Sequence, residues 1–420
     1  MKTTRRNFVK SLALTGFPMI IPASVLGKNA PSNRITLGCI GVGSHGYGQN
    51  LKSFLYLDEA RIIRVCDVFK ERALHAQKTV NNRYRNKGCT ATQDFREILA
   101  DPAVDAVVIS TPDHWHVPMS IMAMEAGKDV FSEKPTFTIA EGEQLIKEAN
   151  KRHAVFQAGL EDRSVIHYHK LIEWVWNGAI GDLERVEVTL PKKFVWPLEK
   201  AIPVPRGLNY DLFVGPADFI PYTKNITQNQ HWRMVRNFSG GSLIDWGTHL
   251  VDSAQLGVNN GVPVEISGKG FIPENSMTTV PVTFDIDYRY ANGVTVNVKS
   301  GGNKLRFYGS RGWVGNDTWR GQLKASDPKI LHTKYPPGTS KLWKIPTTEH
   351  RNFLACVKSR EKTTYTPEVL NEICTTLHMG LISIYRGEKL RWDSKKREFI
   401  DNPVANAMRF HKSREDWKKA

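Results

Sequence analysis

Cysteine is scarce in this chain, and its spacing excludes two classes of site. The 420 residues hold five cysteines, and no two of them form a Cys-x-x-Cys pair. An odd number spread so widely is not a disulfide framework, and it offers no zinc-site spacing. Cys39 and Cys66 fall in apolar runs typical of strands, so we expect buried free thiols.

Long apolar runs and nucleic-acid motifs are also missing. After the first 30 residues, no apolar run approaches the roughly 20 residues that a membrane-spanning helix needs, so we expect no stable membrane anchor. The net charge is +16, from 58 basic and 42 acidic residues, which favours contact with anionic surfaces. The basic residues are scattered, however, and no helix-turn-helix or zinc-finger spacing accompanies them, so we expect no nucleic-acid partner.

The first 30 residues read as an export signal. A basic start is followed by an apolar stretch from Leu12 to Ile21 and by small residues, as in a cleaved secretory leader. The segment Thr4-Arg5-Arg6-Asn7-Phe8-Val9-Lys10 resembles the twin-arginine signal, with Val9 in place of the usual leucine. We therefore expect export by the twin-arginine route to the periplasm.

The remaining chain predicts two α/β domains. Over residues 31–155, short apolar strands alternate with helical stretches, which indicates a doubly wound parallel sheet. Over residues 156–420 the strand pattern changes to alternating apolar and polar residues. In "VTFDIDYRYANGVTVNVKS" the alternation breaks at Asn292-Gly293, which predicts a hairpin with a type I′ turn. The second domain is therefore expected to be α/β with an open, largely antiparallel sheet.

Two segments frame this second domain. "PKKFVWPLEKAIPVPRG", beginning at Pro191, predicts a long surface loop because proline and glycine interrupt any regular element. "TPEVLNEICTTLHMGLISIYRG" predicts a helix with its N-cap at Thr366, proline in the first turn and an end at Gly387.

A glycine-rich turn follows the first strand. Gly41-Val42-Gly43-Ser44-His45-Gly46 matches G-x-G-x-x-G, and Asp67 closes the next strand. In a dinucleotide-binding fold the glycines give a tight turn and let the pyrophosphate approach the backbone and the helix N-terminus. Asp67 can accept hydrogen bonds from ribose hydroxyls and would repel a 2′-phosphate. The turn therefore predicts NAD in preference to NADP.

Two further motifs carry candidate chemistry. Ser132-Glu133-Lys134-Pro135 closes another strand of the same sheet, so we expect Lys134 near the cofactor, where the positive charge of NAD⁺ would lower its pKa.

Asp245 and His249 lie four residues apart, a spacing that predicts one helical face. Such a pair can transfer a proton or hydrogen-bond to adjacent hydroxyl groups of a sugar. The alternative is a structural role, in which the aspartate caps a helix and the histidine packs in the core. A metal site would need a third ligand such as Asp252, and we expect none.

Together these motifs resemble the Gfo/Idh/MocA oxidoreductases. The resemblance rests on the glycine turn, Asp67, Thr111-Pro112 with His116, Glu133-Lys134-Pro135 and Asp245-x-Gly247-x-His249. One departure is Asp113, which stands where many members have asparagine.

The resemblance implies roles for particular residues. Lys134, His249 and Asp245 are implied at the catalytic centre. Substrate contacts are implied, more softly, for Arg163, His231, Trp232 and Arg233. Cofactor contacts are implied for the following residues: Gly41, Gly43, Ser44, His45, Gly46, Asp67, Thr111, Pro112, His116, Glu133 and Lys134. The resemblance also implies a Rossmann fold for the first domain and a homo-oligomer, dimer or tetramer.

These residues favour an NAD-dependent oxidoreductase that moves a hydride to or from a secondary hydroxyl of a sugar or glycoside. Either Lys134 or His249 would take the hydroxyl proton, and Trp115, Trp232 and Trp246 are candidates for stacking on sugar rings. Twin-arginine export carries folded proteins, so the cofactor would travel tightly bound. An NAD-dependent, redox-assisted glycosidase is the first alternative, and a non-catalytic sugar-binding protein is the second.

Overall fold

The computed structural model describes residues 34–336, 338–341, 348–414 and 417. The leader predicted over residues 1–30 lies outside this part of the chain. Within it, no helix is both long enough and apolar enough to cross a bilayer.

Fifteen strands in the described residues form two sheets. They are β1 (Ile35–Ile40), β2 (Ala60–Cys66), β3 (Thr90–Thr92), β4 (Ala106–Ile109), β5 (Asp129–Ser132), β6 (Phe156–Ala158), β7 (Leu183–Leu190), β8 (Glu265–Phe271), β9 (Thr283–Arg289), β10 (Thr295–Ser300), β11 (Lys304–Gly309), β12 (Gly312–Asn316), β13 (Lys324–Ala325), β14 (Leu390–Asp393) and β15 (Glu398–Phe399).

Thirteen α-helices accompany these strands. They are α1 (Lys52–Leu55), α2 (Lys70–Tyr84), α3 (Phe95–Ala100), α4 (Asp113–Glu125), α5 (Ile139–Arg152), α6 (Ile166–Trp176), α7 (Tyr210–Val214), α8 (Gly241–Asp245), α9 (Gly247–Val258), α10 (Pro328–Leu331), α11 (Glu349–Ser359), α12 (Pro367–Arg386) and α13 (Pro403–Ala407). A π-helical turn, Gly46–Leu51, leads into α1.

The first sheet is parallel throughout, in the order β3-β2-β1-β4-β5-β6. This is the Rossmann strand order, with its topological switch point between β1 and β4. Every residue of β4 and β5 is buried, as expected for strands covered on both faces. The predicted doubly wound sheet is confirmed, and its last strand, β6, extends it past residue 155.

The second sheet is mixed and mostly antiparallel, in the order β13-β12-β11-β7-β10-β9-β8-β14-β15. Only β7 and β10 pair in parallel among its described neighbours. In β9, Phe284, Ile286 and Tyr288 are buried while the residues between them are exposed, so one face packs and the other meets solvent. The predicted open, largely antiparallel sheet is confirmed.

The hairpin between β9 and β10 is confirmed, but its turn differs from the prediction. Gly293 has φ +88°, whereas Asn292 does not have a positive φ. A type I′ turn needs both central residues at positive φ. Instead, Gly293 N–H donates to Tyr290 O (3.0 Å) and Tyr290 pairs with Val294. The loop therefore has three residues, with glycine at the left-handed position.

Helix α12 joins the two domains. It begins after the N-cap Thr366 and ends before Gly387, which has φ +64°, as predicted. The helix packs against α5 of the first domain and against β8 and β9 of the second. At Gly380 the helix approaches the sheet so closely that a Cβ atom would lie 1.9 Å from the Tyr288 hydroxyl oxygen. Glycine is therefore required there by packing.

A segment that we call the cap, residues 191–240, lies over the carboxyl edge of the first sheet. It has its own small core, which includes Trp196, Tyr210 and Phe238. Main-chain bonds from Lys70 N to Gly207 O and from Asn209 N to Val68 O (both 2.9 Å) join it to the end of β2. The predicted surface loop forms its first part, although Trp196 within that loop is buried.

All five cysteines are free and buried, which confirms the prediction made for Cys39 and Cys66. Burial raises the pKa of the Cys39 thiol, which makes it a poor nucleophile.

We predict that Gly380→Ala destabilises the protein by about 1–3 kcal/mol, the usual range for overpacking a filled core. The new methyl group would collide with Tyr288. Urea unfolding of the purified chain would measure the change.

Gly48→Ala is the matched control, because a Cβ at Gly48 meets nothing within 4 Å. We expect that change to be neutral or stabilising by up to about 1 kcal/mol, since alanine favours helix. Equal stability of the two variants would contradict the close packing described for α12.

Candidate active site

A cavity of about 620 Å³ opens at the carboxyl edge of the first sheet, under the cap. In open α/β sheets this edge, at the switch point, is where ligands bind. All eleven residues predicted to contact the cofactor line the cavity, together with Asp245 and His249. The structure thus brings the motifs to one place.

The glycine turn forms one wall. Gly41 has φ +81°, and a Cβ there would lie 2.6 Å from the Ser110 carbonyl oxygen. A Cβ on Gly46 would lie 1.9 Å from the Gly41 carbonyl oxygen, whereas one on Gly43 would meet only the Arg72 side chain, at 3.6 Å. Gly41 and Gly46 are thus required by the turn itself, and Gly43 leaves its backbone open to the cavity.

Asp67 follows β2, lines the cavity and is buried. Its Oδ1 accepts a hydrogen bond from Phe69 N (2.9 Å). Burial raises the pKa of Asp67, and the Arg72 charge partly offsets this. Thr111 also lines the cavity, and its hydroxyl is buried and has no hydrogen-bond partner among the described residues. NAD, a dinucleotide, fits this lining. The glycine turn leaves backbone open to the cavity, Asp67 offers a buried carboxylate, and Thr111 offers a hydroxyl without a partner.

Glu133 anchors the wall between the glycine turn and Lys134. Its Oε1 accepts from Asn50 Nδ2 and lies 2.8 Å from both that atom and His45 Nε2. Burial would raise the pKa of Glu133, but these two partners outweigh it and bring the value to about 2. The same bond raises the pKa of His45. Glu133 is therefore a fixed anion that holds the turn against β5.

Lys134 reaches across to the second domain. The Lys134–Pro135 peptide is cis, and the Lys134 Nζ donates to the backbone oxygen (2.9 Å) and Oδ1 (3.0 Å) of Asp245. Burial lowers the pKa of Lys134, but the Asp245 carboxylate more than reverses this, so the pKa is raised. The sequence did not show that Asp245 contacts the lysine; the lowering of the Lys134 pKa by the charge of NAD⁺ stays a prediction.

Three cations surround the Asp245 carboxylate. Besides Lys134, Arg233 Nε lies 3.2 Å and Lys193 Nζ 3.8 Å from Asp245 Oδ2. Burial alone would raise the pKa of Asp245, but these charges hold it well below its usual range. Burial lowers the pKa of Lys193. Lys193 was missed from the sequence because it comes from the predicted surface loop, yet its side chain is only 7% exposed.

His249 does not pair with Asp245 as the four-residue spacing predicted. Helix α8 ends at Asp245 and α9 begins at Gly247, so the two residues do not share one regular helical face. The carboxylate nearest to the His249 ring is instead Asp162, whose Oδ2 lies 3.5 Å from Nδ1. Burial, followed by the Lys134 charge, lowers the pKa of His249 well below 6.5. The imidazole is therefore neutral at pH 7.

His116 and Asp113 support the cavity from α4. The His116 ring lies between two backbone oxygens, 3.0 Å from Pro135 O and 2.8 Å from Thr111 O, and so fixes the two loops that carry Lys134 and Thr111. Asp113 is buried, and its Oδ2 accepts from the Ser239 hydroxyl (2.6 Å). Burial raises the pKa of Asp113.

Glu161, Asp162 and His249 offer ligand atoms close enough to hold a metal ion. A cation already occupies this cluster, because the Arg320 guanidinium lies 2.6 Å from Asp162 Oδ1 and 2.9 Å from Glu161 Oε1. Asp252, the third ligand considered from the sequence, is committed to a two-bond ion pair with Arg163. The residues do not fit a resident metal.

Two of the four residues implied to contact substrate, Trp232 and Arg233, line the cavity. Trp115 and Trp246, the other candidates for stacking on a sugar ring, also line it. Arg163 does not, because Asp252 holds its guanidinium with two bonds of 2.7 Å.

His231 also lies outside the cavity wall. Its ring packs against Trp196 and Phe194, with centroids 4.8 and 5.3 Å away. Trp115 is buried and donates its indole N–H to Leu212 O (2.9 Å), so it supports the wall.

Several lining residues were missed from the sequence. They are Arg72, Glu161, Leu212, Phe213, Gln228, Asn229, Gln230 and Trp319. The amides Gln228, Asn229 and Gln230 immediately precede the segment "HWRMVRNFSGG", and this adjacency was the one available signal. Trp319 follows the last long strands, where no motif marks it.

Known protein families match both halves of the chain. Residues 35–160 match the NAD-binding Rossmann fold of the Gfo/Idh/MocA oxidoreductase family, and residues 187–419 match the C-terminal alpha/beta domain of that family.

Curated relatives match over shorter stretches. An alpha-N-acetylgalactosaminidase of Shewanella oneidensis is 34% identical over 186 residues, which are 42% of this chain and 39% of that protein. A glycosyl hydrolase family 109 protein of Shewanella pealeana is 31% identical over 226 residues, 48% of each chain. The chain thus spans about half or less of the length of these relatives.

Solved structures share the fold over most of the chain. An aldose-aldose oxidoreductase from Caulobacter crescentus, complexed with glycerol, has a TM-score of 0.62 at 18% identity, covering 85% of this chain and 99% of that one. A levoglucosan dehydrogenase in complex with NADH and levoglucosan has the same TM-score and coverage at 20% identity. At these identities the likeness establishes the fold.

We predict that Asp245→Asn destabilises the protein by about 3–5 kcal/mol, the usual loss when one partner of a buried ion pair is removed. The change leaves Lys134, Lys193 and Arg233 facing one another without their central anion. Chemical denaturation at pH 7 would measure it.

Asp317→Asn is the matched control. Asp317 also pairs with two cations, Arg306 and Lys324, but is 41% exposed, so its loss should cost at most about 1 kcal/mol. If the two variants were equally stable, the three cations would not depend on Asp245.

Proposed function

The chain belongs to the Gfo/Idh/MocA oxidoreductase family, and from that premise we propose an exported, NAD-dependent enzyme that oxidises or reduces a secondary hydroxyl of a sugar or glycoside. The observation that carries this proposal is that Lys134, hydrogen-bonded to Asp245, and His249, whose pKa is lowered by burial, line one cavity. A cation and a base at one carbinol are what hydride removal requires.

The residues divide the chemistry between them. When bound, NAD supplies the hydride acceptor or donor. The neutral His249 imidazole accepts the hydroxyl proton as the carbinol becomes a carbonyl. The Lys134 ammonium, fixed by Asp245, donates a hydrogen bond to the same oxygen and stabilises its developing negative charge. Because the Lys134 ammonium already donates to Asp245, we assign it the hydrogen-bonding role and assign the base to His249, the other residue that the sequence left open.

The inner half of the cavity suits a carbohydrate. Trp232, Trp246 and Trp319 offer aromatic faces there, which pack well against the apolar faces of sugar rings. Gln228 and Asn229 offer amide donors and acceptors for hydroxyl groups. Solved relatives of the same fold are complexed with levoglucosan or with UDP-GlcNAcA, which supports a sugar-type substrate.

The cap supports a cofactor that stays bound. Leu212, Phe213 and residues 227–230 of the cap cover the cavity, and two main-chain bonds fasten the cap beside Asp67. A tightly held cofactor suits export in the folded state by the twin-arginine route to the periplasm. Each catalytic cycle must then return the cofactor to its starting form, through a second substrate or through the same one.

A redox-assisted glycosidase is the second candidate, because the curated relatives include an alpha-N-acetylgalactosaminidase. In that reaction, transient oxidation of a ring carbinol acidifies the neighbouring C–H bond, the glycosidic bond is eliminated, and reduction restores the sugar. The intact Glu133-Lys134-Pro135 motif favours the oxidoreductase.

We also propose self-association into a dimer or tetramer. The outward face of the second sheet is available for it, since Asp285, Asp287 and Arg289 on that face are exposed.

We predict that the mature protein, purified from periplasm and denatured, releases NAD or NADH, because the cap retains it. Incubation of the native protein with a glycoside panel should then change the 340-nm absorbance of the bound cofactor and yield a keto-sugar. Cleavage without net redox change would favour the glycosidase. Tight sugar binding with neither outcome would leave only a binding protein and overturn the proposal.

We predict that Lys134→Ala slows reduction of the bound cofactor by about 10²–10³-fold, the usual effect of removing one electrostatic donor from an active site.

The wild-type rate should be independent of pH from 8 down to about 6.5 and fall only in more acid solution. The sign follows from the lowered pKa of His249, which keeps the base unprotonated over that range. Stopped-flow absorbance measures both effects, and full turnover by Lys134→Ala would remove this assignment.

A further inference from the structure

We propose that Asp162, held by Trp319 and Arg320, is the positioning residue that orients His249. This inference rests on the proposed function, because it explains how the catalytic imidazole presents one nitrogen to substrate. Neither the motifs nor the four-residue spacing of Asp245 and His249 pointed to it.

The His249 ring has an unsatisfied nitrogen on its buried side. Nδ1 is inaccessible to solvent and has no hydrogen-bond partner among the described residues. Asp162 Oδ2 lies 3.5 Å from it, slightly longer than a hydrogen bond. Catalytic hydrogen bonds are often long in the absence of ligands and tighten when substrate binds. Asp162 is thus the acceptor that a proton on Nδ1 would use.

Asp245 is not available for this task. Lys134 contacts its Oδ1, and Arg233 and Lys193 lie against its Oδ2. With three cations around it, this carboxylate is committed to Lys134 and fixes the lysine. The two acids therefore serve different partners.

Asp162 is itself fixed from behind. The Trp319 indole N–H donates to Oδ2 (2.7 Å), and Arg320 Nε donates to Oδ1 (2.8 Å). The side chain of Asp162 is only 2% exposed. Each carboxylate oxygen therefore has a donor, and the two donors fix the orientation of the Asp162 carboxylate beside His249.

The Trp319-Arg320 turn has an unusual backbone. Arg320 has φ +55°, an uncommon value for a residue other than glycine. Its N–H donates to the Tyr168 hydroxyl (3.0 Å), and its guanidinium reaches Glu161 as well as Asp162. This conformation brings two consecutive side chains onto one carboxylate, as a device for positioning Asp162 would require.

The consequence for the reaction is the choice of tautomer. A proton on Nδ1 that faces Asp162 leaves the lone pair on Nε2 free, and that nitrogen accepts the hydroxyl proton of the substrate in the cavity. After transfer the imidazolium is stabilised by the Asp162 carboxylate. Only the hydroxyl proton is transferred to the imidazole; the hydride of the same carbinol would go to NAD when the cofactor is bound.

The test is ¹⁵N NMR of histidine-labelled protein, with the His249 signals assigned through His249→Gln. In the wild-type protein we expect Nδ1 to carry the proton at pH 7. In Asp162→Asn that preference should be lost, and the pKa of His249 should shift down because a negative charge has been removed. Asp317→Asn is the control, because it removes a paired carboxylate two residues from Trp319 and should leave His249 unchanged.

Single-turnover kinetics give the second readout. We expect Asp162→Asn to slow cofactor reduction by about 10²-fold or more, within the usual contribution of a positioned base, with the KM for the glycoside little changed. Trp319→Phe keeps an aromatic side chain but removes the indole N–H donor, so it should shift the His249 signals in the same direction by less. This variant decides the matter if Asp162→Asn does not fold.

Three results would overturn the proposal. The first is an unchanged His249 tautomer in both variants. The second is an unchanged single-turnover rate in Asp162→Asn. The third is activity lost on chelation and restored by Mn²⁺, which would make Asp162 a metal ligand. If the wild-type protein reduced no cofactor with any glycoside, the proposed function would fail, and the NMR comparison would still decide whether Asp162 orients His249.

Discussion

The contact on which the site depends is the one between Lys134 and Asp245. Lys134 follows β5 of the parallel sheet, and Asp245 ends α8 of the second domain, 111 residues later. Their hydrogen bonds close the cavity between the two domains and tie the candidate catalytic lysine to a fixed anion. Helix α12 packs on elements of both domains. The charged cluster that the two domains form is largely buried.

Charge then distinguishes the roles of residues that look alike in the sequence. Glu133, Asp245 and Asp162 are all buried carboxylates, but their partners differ. Glu133 binds His45 and Asn50 and holds the glycine turn, Asp245 keeps Lys134 charged, and Asp162 faces His249. One protonated cation and one neutral base consequently meet at the same cavity, which is the arrangement that moving a hydride and a proton from one carbinol requires.

Local physics explains which parts of this arrangement could be predicted. The glycine turn, the hairpin and the ends of α12 depend on residues adjacent in sequence, and their positions were predicted correctly apart from the hairpin's turn type. The partners of Lys134 and His249 depend on tertiary contacts. Lys193 lies 52 residues from Asp245, and Asp162 lies 87 residues from His249. Arg163 was predicted to contact the substrate, but Asp252 binds it outside the cavity wall. Spacing alone also could not show that α8 ends at Asp245.

The most direct test of the central claim is a crystal structure of the mature protein with NAD. We expect the dinucleotide to extend along the cavity, with its pyrophosphate at Gly41–Gly46, its adenosine ribose at Asp67 and its nicotinamide beside Lys134, with the bond from Lys134 to Asp245 intact. NAD bound elsewhere, or a nicotinamide far from both Lys134 and His249, would contradict the account.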